Sequence, residues 1–207
     1  MIIASVLKDK NHLNKLIFND GTVFFLDRDI CVDNCLRQGQ EISEEQLKSL
    51  YDSSQYQRAK SRAMWYLGRR DYSEKALFDK LVSVGFEKSV SARVMARLVE
   101  LCLVDDRRFA ERYVQRCIDS NISKRETIMK LWTKGISRQL AEEILDETEV
   151  DEKQQLNSLI KTKYAYKLTQ NGGTKKVFDA LVRKGFSYSQ VREALGEYIN
   201  NNEFCED

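Results

Sequence analysis

The chain has 207 residues and no proline. That absence suits uninterrupted helices and argues against a proline-rich linker anywhere along it. Histidine is nearly missing too. The one present, His12, stands in a β-rich, loop-flanked stretch, where a lone imidazole reads as an exposed turn residue rather than a general base. No Gly-x-x-x-x-Gly-Lys-Ser/Thr phosphate loop, Gly-x-Ser-x-Gly elbow or His-Glu-x-x-His helix occurs. Neighbouring acids such as Asp105-Asp106 and Glu142-Glu143 diverge on a helix instead of converging on a substrate. The sequence offers no catalytic residue, and a protein that is not an enzyme is expected. Five cysteines (Cys31, Cys35, Cys102, Cys117 and Cys205) form an odd, scattered set. Cys31-x-x-x-Cys35 is a poor zinc half-site and His12 is far from it, so neither a metal nor a cofactor is expected. Cys102 and Cys117 fall in apolar helical patterns and are expected in the core. "MIIASVLKDK" is too short an apolar run for a signal peptide, and no stretch approaches the ~20 residues of a membrane span. A reduced, cytoplasmic, monomeric protein without membrane contact is the simplest reading.

Nor does one sign of charge dominate. Basic residues number 34 against 32 acidic ones, for a net charge of +2, which by itself implies no partner. The distribution is uneven: residues 56–100 carry ten Lys or Arg and five Asp or Glu, an excess of five positive charges. Residues 1–55 carry six basic and nine acidic side chains, an excess of three negative ones. A basic segment of that size can meet phosphates or merely solvate a helix. The apolar content of 42% is enough for one or two modest cores.

What is present first is a short β-rich region. "IIASVL" and "KLIF-NDG-TVFFL" read as strands, with Asn19-Asp20-Gly21 as a turn that supplies positive φ cheaply. A short helix over 32–37 should stop near Gly39, and Ser43 should cap a helix beginning at Glu44-Glu45. Residues 1–55 are therefore expected to form a small β-hairpin region with short helices.

From Tyr56 onward the chain repeats itself. "KLVSVGFEKSVSARVM", "KLWTKGISRQLAEEIL" and "ALVRKGFSYSQVREAL" align at a constant spacing, placing Gly85, Gly135 and Gly185 in register. Leu81, Leu131 and Leu181 precede the glycines, and Phe86, Ile136 and Phe186 follow them. A glycine just past a helix adopts the left-handed conformation at little cost and satisfies carbonyls of the last turn. Each glycine is therefore expected to be a structural corner between two helices. Three tandem three-helix repeats follow, over 56–104, 105–150 and 151–207. Within them Tyr56–Arg69, Asp106–Asp119 and Glu152–Leu168 are the expected first helices. Ser73, Ser123 and the Gly172-Gly173 joint open the second helices, and helix three of the first repeat should run to about Cys102. One such unit buries too little surface to be stable alone. Stacked units would form a mainly α-helical, elongated, curved solenoid offering a long surface rather than a deep pocket.

Basic stripes mark that surface. Arg58, Arg62 and Arg69 share one face of the first helix, with Trp65 beside them, Arg70 just beyond, and Tyr56, Ala59, Ala63 and Leu67 opposite. The tryptophan either packs between units or stacks on a partner. In the second repeat Arg108, Arg112 and Arg116 make an outward stripe opposite Phe109, Ala110, Tyr113, Val114, Cys117 and Ile118, and Lys124 and Arg125 follow. The third repeat adds Lys161, Lys163, Lys167, Lys175 and Lys176. Recurrence in all three repeats points to an anionic or nucleoprotein partner.

The runs "AMWYLGRRDYSEKALFDKLVSVGF", "LVDDRRFAERYV" and "LWTKGISRQLAEEIL" together resemble the RecX family, bacterial regulators of the RecA recombinase. The likeness covers nearly the whole chain. Two departures stand out: Asp119 to Ser123 replaces a glycine-containing joint, and Trp132 is unusual within its helix. The resemblance implies a non-enzymatic protein that binds RecA–DNA filaments and restrains ATP hydrolysis, filament extension and strand exchange, with single-stranded DNA as a further direct contact. Two other classes stay open: a module that binds nucleic acid directly, and a helical scaffold for an unrelated protein.

Overall fold

Short runs rich in branched and aromatic residues build an antiparallel sheet from β1 (Ile3–Lys8), β2 (Leu13–Phe18) and β3 (Val23–Asp27), in that order. The computed structural model describes residues 1–203, with side chains as far as Asn200, so Cys205 and the rest of the C-terminal tail lie outside the described residues. Gly21, at φ +84°, makes the β2–β3 turn. One sheet face buries Ile3, Leu16, Phe18 and Leu26 against Cys31, Ile42 and Leu47.

Helix α1 (Arg28–Asp33) starts earlier than the expected span because Asp27, the last residue of β3, caps it by accepting from the Asp29 amide. Helix α2 (Glu44–Leu67) opens with a capping box in which Ser43 and Gln46 bond each other's backbone. It then runs for 24 residues without a break, where two helices were expected. The expected boundary at residue 55 falls inside it. No glycine or proline interrupts 50–56, and Ser54 turns inward, its Oγ accepting from the Asp27 amide at 2.6 Å. The sheet and the first repeat are thus joined through one continuous helix, and Met1–Val104 makes one compact unit.

The first repeat continues with α3 (Glu74–Ser83) and α4 (Lys88–Glu100). A second compact unit starts at Asp105. It holds α5 (Asp106–Asp119), α6 (Lys124–Thr133) and α7 (Arg138–Glu147) of the second repeat. The third comprises α8 (Glu152–Leu159), a π-helical turn (Ile160–Tyr164), α9 (Ala165–Leu168), α10 (Gly173–Arg183) and α11 (Tyr188–Glu203). The π turn replaces an expected continuous helix. Within it Thr162 bonds back to the Ser158 carbonyl at 2.7 Å, a contact that bends helices. Each repeat has its own apolar cluster, around Leu77, Leu81 and Val94 in the first, Leu131, Ile136 and Ile144 in the second, and Val177, Leu181 and Val191 in the third.

The three glycine corners share one hydrogen-bond pattern. At Gly85, Gly135 and Gly185 φ is +101°, +89° and +90°. The amides of Phe86, Ile136 and Phe186 reach back to the carbonyls of Leu81, Leu131 and Leu181, closing Schellman motifs. The same pattern also occurs without glycine. Cys35, Cys102 and Asn121 sit at φ +50°, +52° and +51°, and Leu36, Leu103 and Ile122 bond back to Cys31, Leu98 and Cys117. This corrects the expectation for Cys102, which ends a helix and is exposed, whereas Cys117 is buried. Burial pushes the Cys117 thiol, like that of Cys31, above its ordinary pKa.

In the second unit the repeats lock together through polar contacts. Ser123, buried at the α6 N-cap, accepts from the Glu126 amide at 3.2 Å and donates to the Lys184 carbonyl at 2.6 Å. The Lys124 amide donates to Glu152 of α8 at 3.0 Å, and Asn121 bonds Ser158 at 3.2 Å. A Cβ on Gly185 would lie 2.6 Å from Ser123 Oγ, so that corner needs glycine for space as well as for φ.

Candidate partner-binding surface

Helix α2 brings three of the expected residues together at its C-terminal end. Ala59, Ala63 and Tyr66 turn inward, which leaves Arg62 and Trp65 facing outward. The helix stops at Leu67 with Gly68 as C-cap, and the next residue folds back. As a result the Arg69 guanidinium carbon lies 3.8 Å from the Trp65 ring centroid, and that of Arg62 lies 5.6 Å from it. Trp65 is 47% exposed, with Tyr66 meeting its ring edge-on. Each cation over the ring favours this pose of the indole by about 0.5–1 kcal/mol.

Arg58 and Arg70 do not join this stack. Arg58 is half-buried and leans toward Phe86 at 6.0 Å, the residue after the first glycine corner, while Arg70 covers Tyr72 at 4.5 Å. On α5, Arg108, Arg112 and Arg116 are all exposed. Arg116 donates to the Arg112 carbonyl at 3.3 Å and sits 5.4 Å from the Tyr113 ring. Lys124 is half-buried and Arg125 exposed on α6.

In the third repeat Lys161 and Lys163 project from the π turn, Lys167 from α9, and Lys175 and Lys176 from the start of α10; all are exposed. The Gly172-Gly173 joint brings these elements together. A Cβ on Gly173 would overlap the Lys167 carbonyl, so only glycine lets α10 start against α9. Placing Lys175 and Lys176 in the first helical turn works against the helix dipole, a local cost that suits an anionic partner.

Arg107, one position off the α5 stripe, is a residue that the periodicity does not single out. It donates to Glu143 at 2.8 Å and to Glu147 at 2.7 Å on α7, and to Glu111 at 3.2 Å on its own helix. Hydrogen bonds to Glu143 and then Glu147 hold its pKa far above the ordinary value. Lys153 makes the same clamp on α11, bonding Glu197 at 2.7 Å and Glu193 at 3.0 Å. Glutamates four apart on the third helices of the second and third repeats were the available signal. Both cations thus pair with carboxylates inside their own repeats.

His12 bonds Asp29 at 3.0 Å, and one ligand atom each from His12, Asp27 and Asp29 lie within 4.8 Å of one another. Asp27 and Asp29 meet there because the Asp27 carboxylate caps α1 through the Asp29 amide, so helix capping explains the grouping. Among the described residues, no helix is long and apolar enough to cross a membrane.

The fold defines an α-helical repeat protein of three-helix units with a small sheet at its N-terminus, displaying two arginines over one exposed ring, that of Trp65. Residues 59–98 match the family model described as RecX, first three-helix domain. The regulatory protein RecX of Clostridioides difficile is 30% identical over 174 residues, spanning 82% of this chain and 81% of that protein. The regulatory protein RecX of Clostridium tetani is 26% identical over 197 residues, spanning 93% and 90%. This chain belongs to the RecX family. Among solved structures, a crystal structure of regulatory protein RecX matches with a TM-score of 0.67 and 22% identity, over 95% of this chain and 98% of that one. RecX from Lactobacillus salivarius matches with a TM-score of 0.61 over 70% of this chain and 97% of that one.

Proposed function

We propose that this protein regulates the RecA recombinase without catalysing a reaction: it binds RecA filaments on DNA, restrains their ATP hydrolysis and limits filament extension and strand exchange. Membership of a family of regulatory proteins supports the regulatory role. The observation that carries the surface is the Arg62–Trp65–Arg69 stack, an exposed ring held by two guanidinium groups. Rigid aromatic and arginine side chains that are already ordered lose little entropy on binding, which is why they dominate interfaces. The direct test adds purified protein, below the RecA concentration, to RecA from the same genome on single-stranded DNA. The steady-state ATPase rate should fall. An unchanged rate at an excess of protein rejects the proposal.

One observation favours direct contact with single-stranded DNA as part of this role. Residues 154–178 contain Lys161, Lys163, Lys167, Lys175 and Lys176 and no Asp or Glu. Among the described residues Lys161, Lys163, Lys175 and Lys176 make no ion pair, whereas Lys75, Lys130 and Lys153 all do. Unneutralised lysines on an acid-free segment suit phosphates. Affinity for an oligonucleotide measured with and without RecA separates direct binding from binding through the filament.

A further inference from the structure

The three repeats supply an internal comparison on the outer face of their second helices. At register-equivalent positions the first repeat has Lys75, Asp79 and Val82, and the third has Lys175, Asp179 and Val182. The second has Arg125, Met129 and Trp132. In the first repeat Lys75 and Asp79 neutralise each other at 2.6 Å, and Val82 is half-buried. In the second, methionine stands where the acid would be, and Arg125 has no ion pair among the described residues. The valine position carries an indole instead.

That substitution leaves an apolar face in water. Met129 is 60% and Trp132 66% exposed, and at 100° per residue the two fall with Arg125 inside an arc of roughly 60°. The inward side of α6 is filled by Thr127 and Leu131, so neither large side chain is needed for the fold. Trp65 carries two guanidinium groups over its ring, but among the described residues no cation covers Trp132. Arg125 is also braced from behind, because its Cβ packs at the Gly185 corner of the next repeat.

We propose that Arg125, Met129 and Trp132 form a protein-docking site, separate from the Trp65 stack, for a partner surface that presents a carboxylate beside an apolar cleft. The carboxylate replaces the one that Asp79 supplies in the first repeat, and the cleft takes the indole and the thioether. Tryptophan and arginine are both among the residue types enriched where binding energy concentrates in protein interfaces. Protein is favoured over nucleic acid because Met129 gives a base neither charge nor a stacking ring. The inference rests on the RecA reading, with the RecA filament as the partner that presents this surface.

The test converts the second repeat to the pattern of the other two with Met129→Asp and Trp132→Val together, in the full chain. The new aspartate has Arg125 four residues before it, so the fold should be kept; an unchanged thermal melt checks this, and Trp132→Ala alone serves as a second variant. Binding to RecA filaments assembled on oligothymidylate should weaken about thirtyfold, the size of a dominant interface residue. Binding to oligothymidylate alone should not change. A double variant that binds filaments within twofold of the parent overturns the docking site and leaves the RecA role standing. An equal loss on oligothymidylate alone also overturns it, since the indole would then be stacking on bases. A parent chain that shows no filament binding at all removes both the RecA role and this site.

Discussion

Gly85 and Gly185 occupy the same register and nearly the same backbone conformation, yet their surroundings differ. Nothing lies within 4 Å of a Cβ built on Gly85, whereas one built on Gly185 meets Ser123 Oγ at 2.6 Å and the Arg125 Cβ at 3.2 Å. Gly85→Ala should therefore cost only the left-handed backbone penalty of about 1 kcal/mol. Gly185→Ala should cost at least about 1 kcal/mol more, because the buried Ser123 and the first turn of α6 must shift. Urea melts of the two variants decide it, and equal losses would mean that both corners are set by φ alone. The Arg58 position carries a similar lesson. Its guanidinium leans toward Phe86 at 6.0 Å, so it stands apart from the Trp65 stack despite sharing the stripe of Arg62 and Arg69.

At the scale of elements, Ser123 is one of the polar contacts on which the second and third repeats meet. Its hydroxyl satisfies an amide of α6 and a carbonyl at the end of α10 from a fully buried position. Ser123→Ala strands both groups and should cost about 2 kcal/mol. The loss should also be local. Hydrogen exchange should speed up at the first turn of α6 and around Lys184 to Phe186, while the sheet and α2 stay protected. Uniform acceleration across the chain would show that the serine acts only on global stability. The salt-bridge clamps of Arg107 and Lys153 run between the first and third helices of their own repeats, so they brace a repeat internally rather than joining it to its neighbour.

For the molecule as a whole, the Trp65 stack predicts how filament binding responds to charge and salt. Arg62→Glu with Arg69→Glu removes both cations from the indole while leaving Ala59, Ala63 and Tyr66 in place. Stability should change by less than about 1 kcal/mol, since exposed substitutions away from the core are usually mild. Affinity for RecA filaments on DNA should fall strongly, and the salt dependence should flatten by about one unit of slope for each phosphate that an arginine no longer neutralises. Titrations at several salt concentrations check both effects. A parent-like affinity and slope would leave the stripe as a solvated helix face.

The sequence by itself determined the elements that depend on neighbours in the chain. Serine and aspartate caps, the Asn19-Asp20-Gly21 turn and the repeated glycine corners are local chemistry, and the structure has helices and strands where those signals stand. The arginine stripes and their inward partners follow from helical period in the same way. Local signals also misled where they were weak. Nothing between 50 and 56 marks a helix end, so α2 runs on, and the left-handed corners at Cys102 and Asn121 carry no glycine to announce them. Which cations are open to a partner and which are spent within the fold was decided only by tertiary structure. Arg69 lies over Trp65 because the chain turns sharply after Leu67, and Arg107 is clamped because α7 returns alongside α5. Helical period assigns a side chain to a face, but the carboxylate or ring it meets there comes from distant residues, and only packing brings those together.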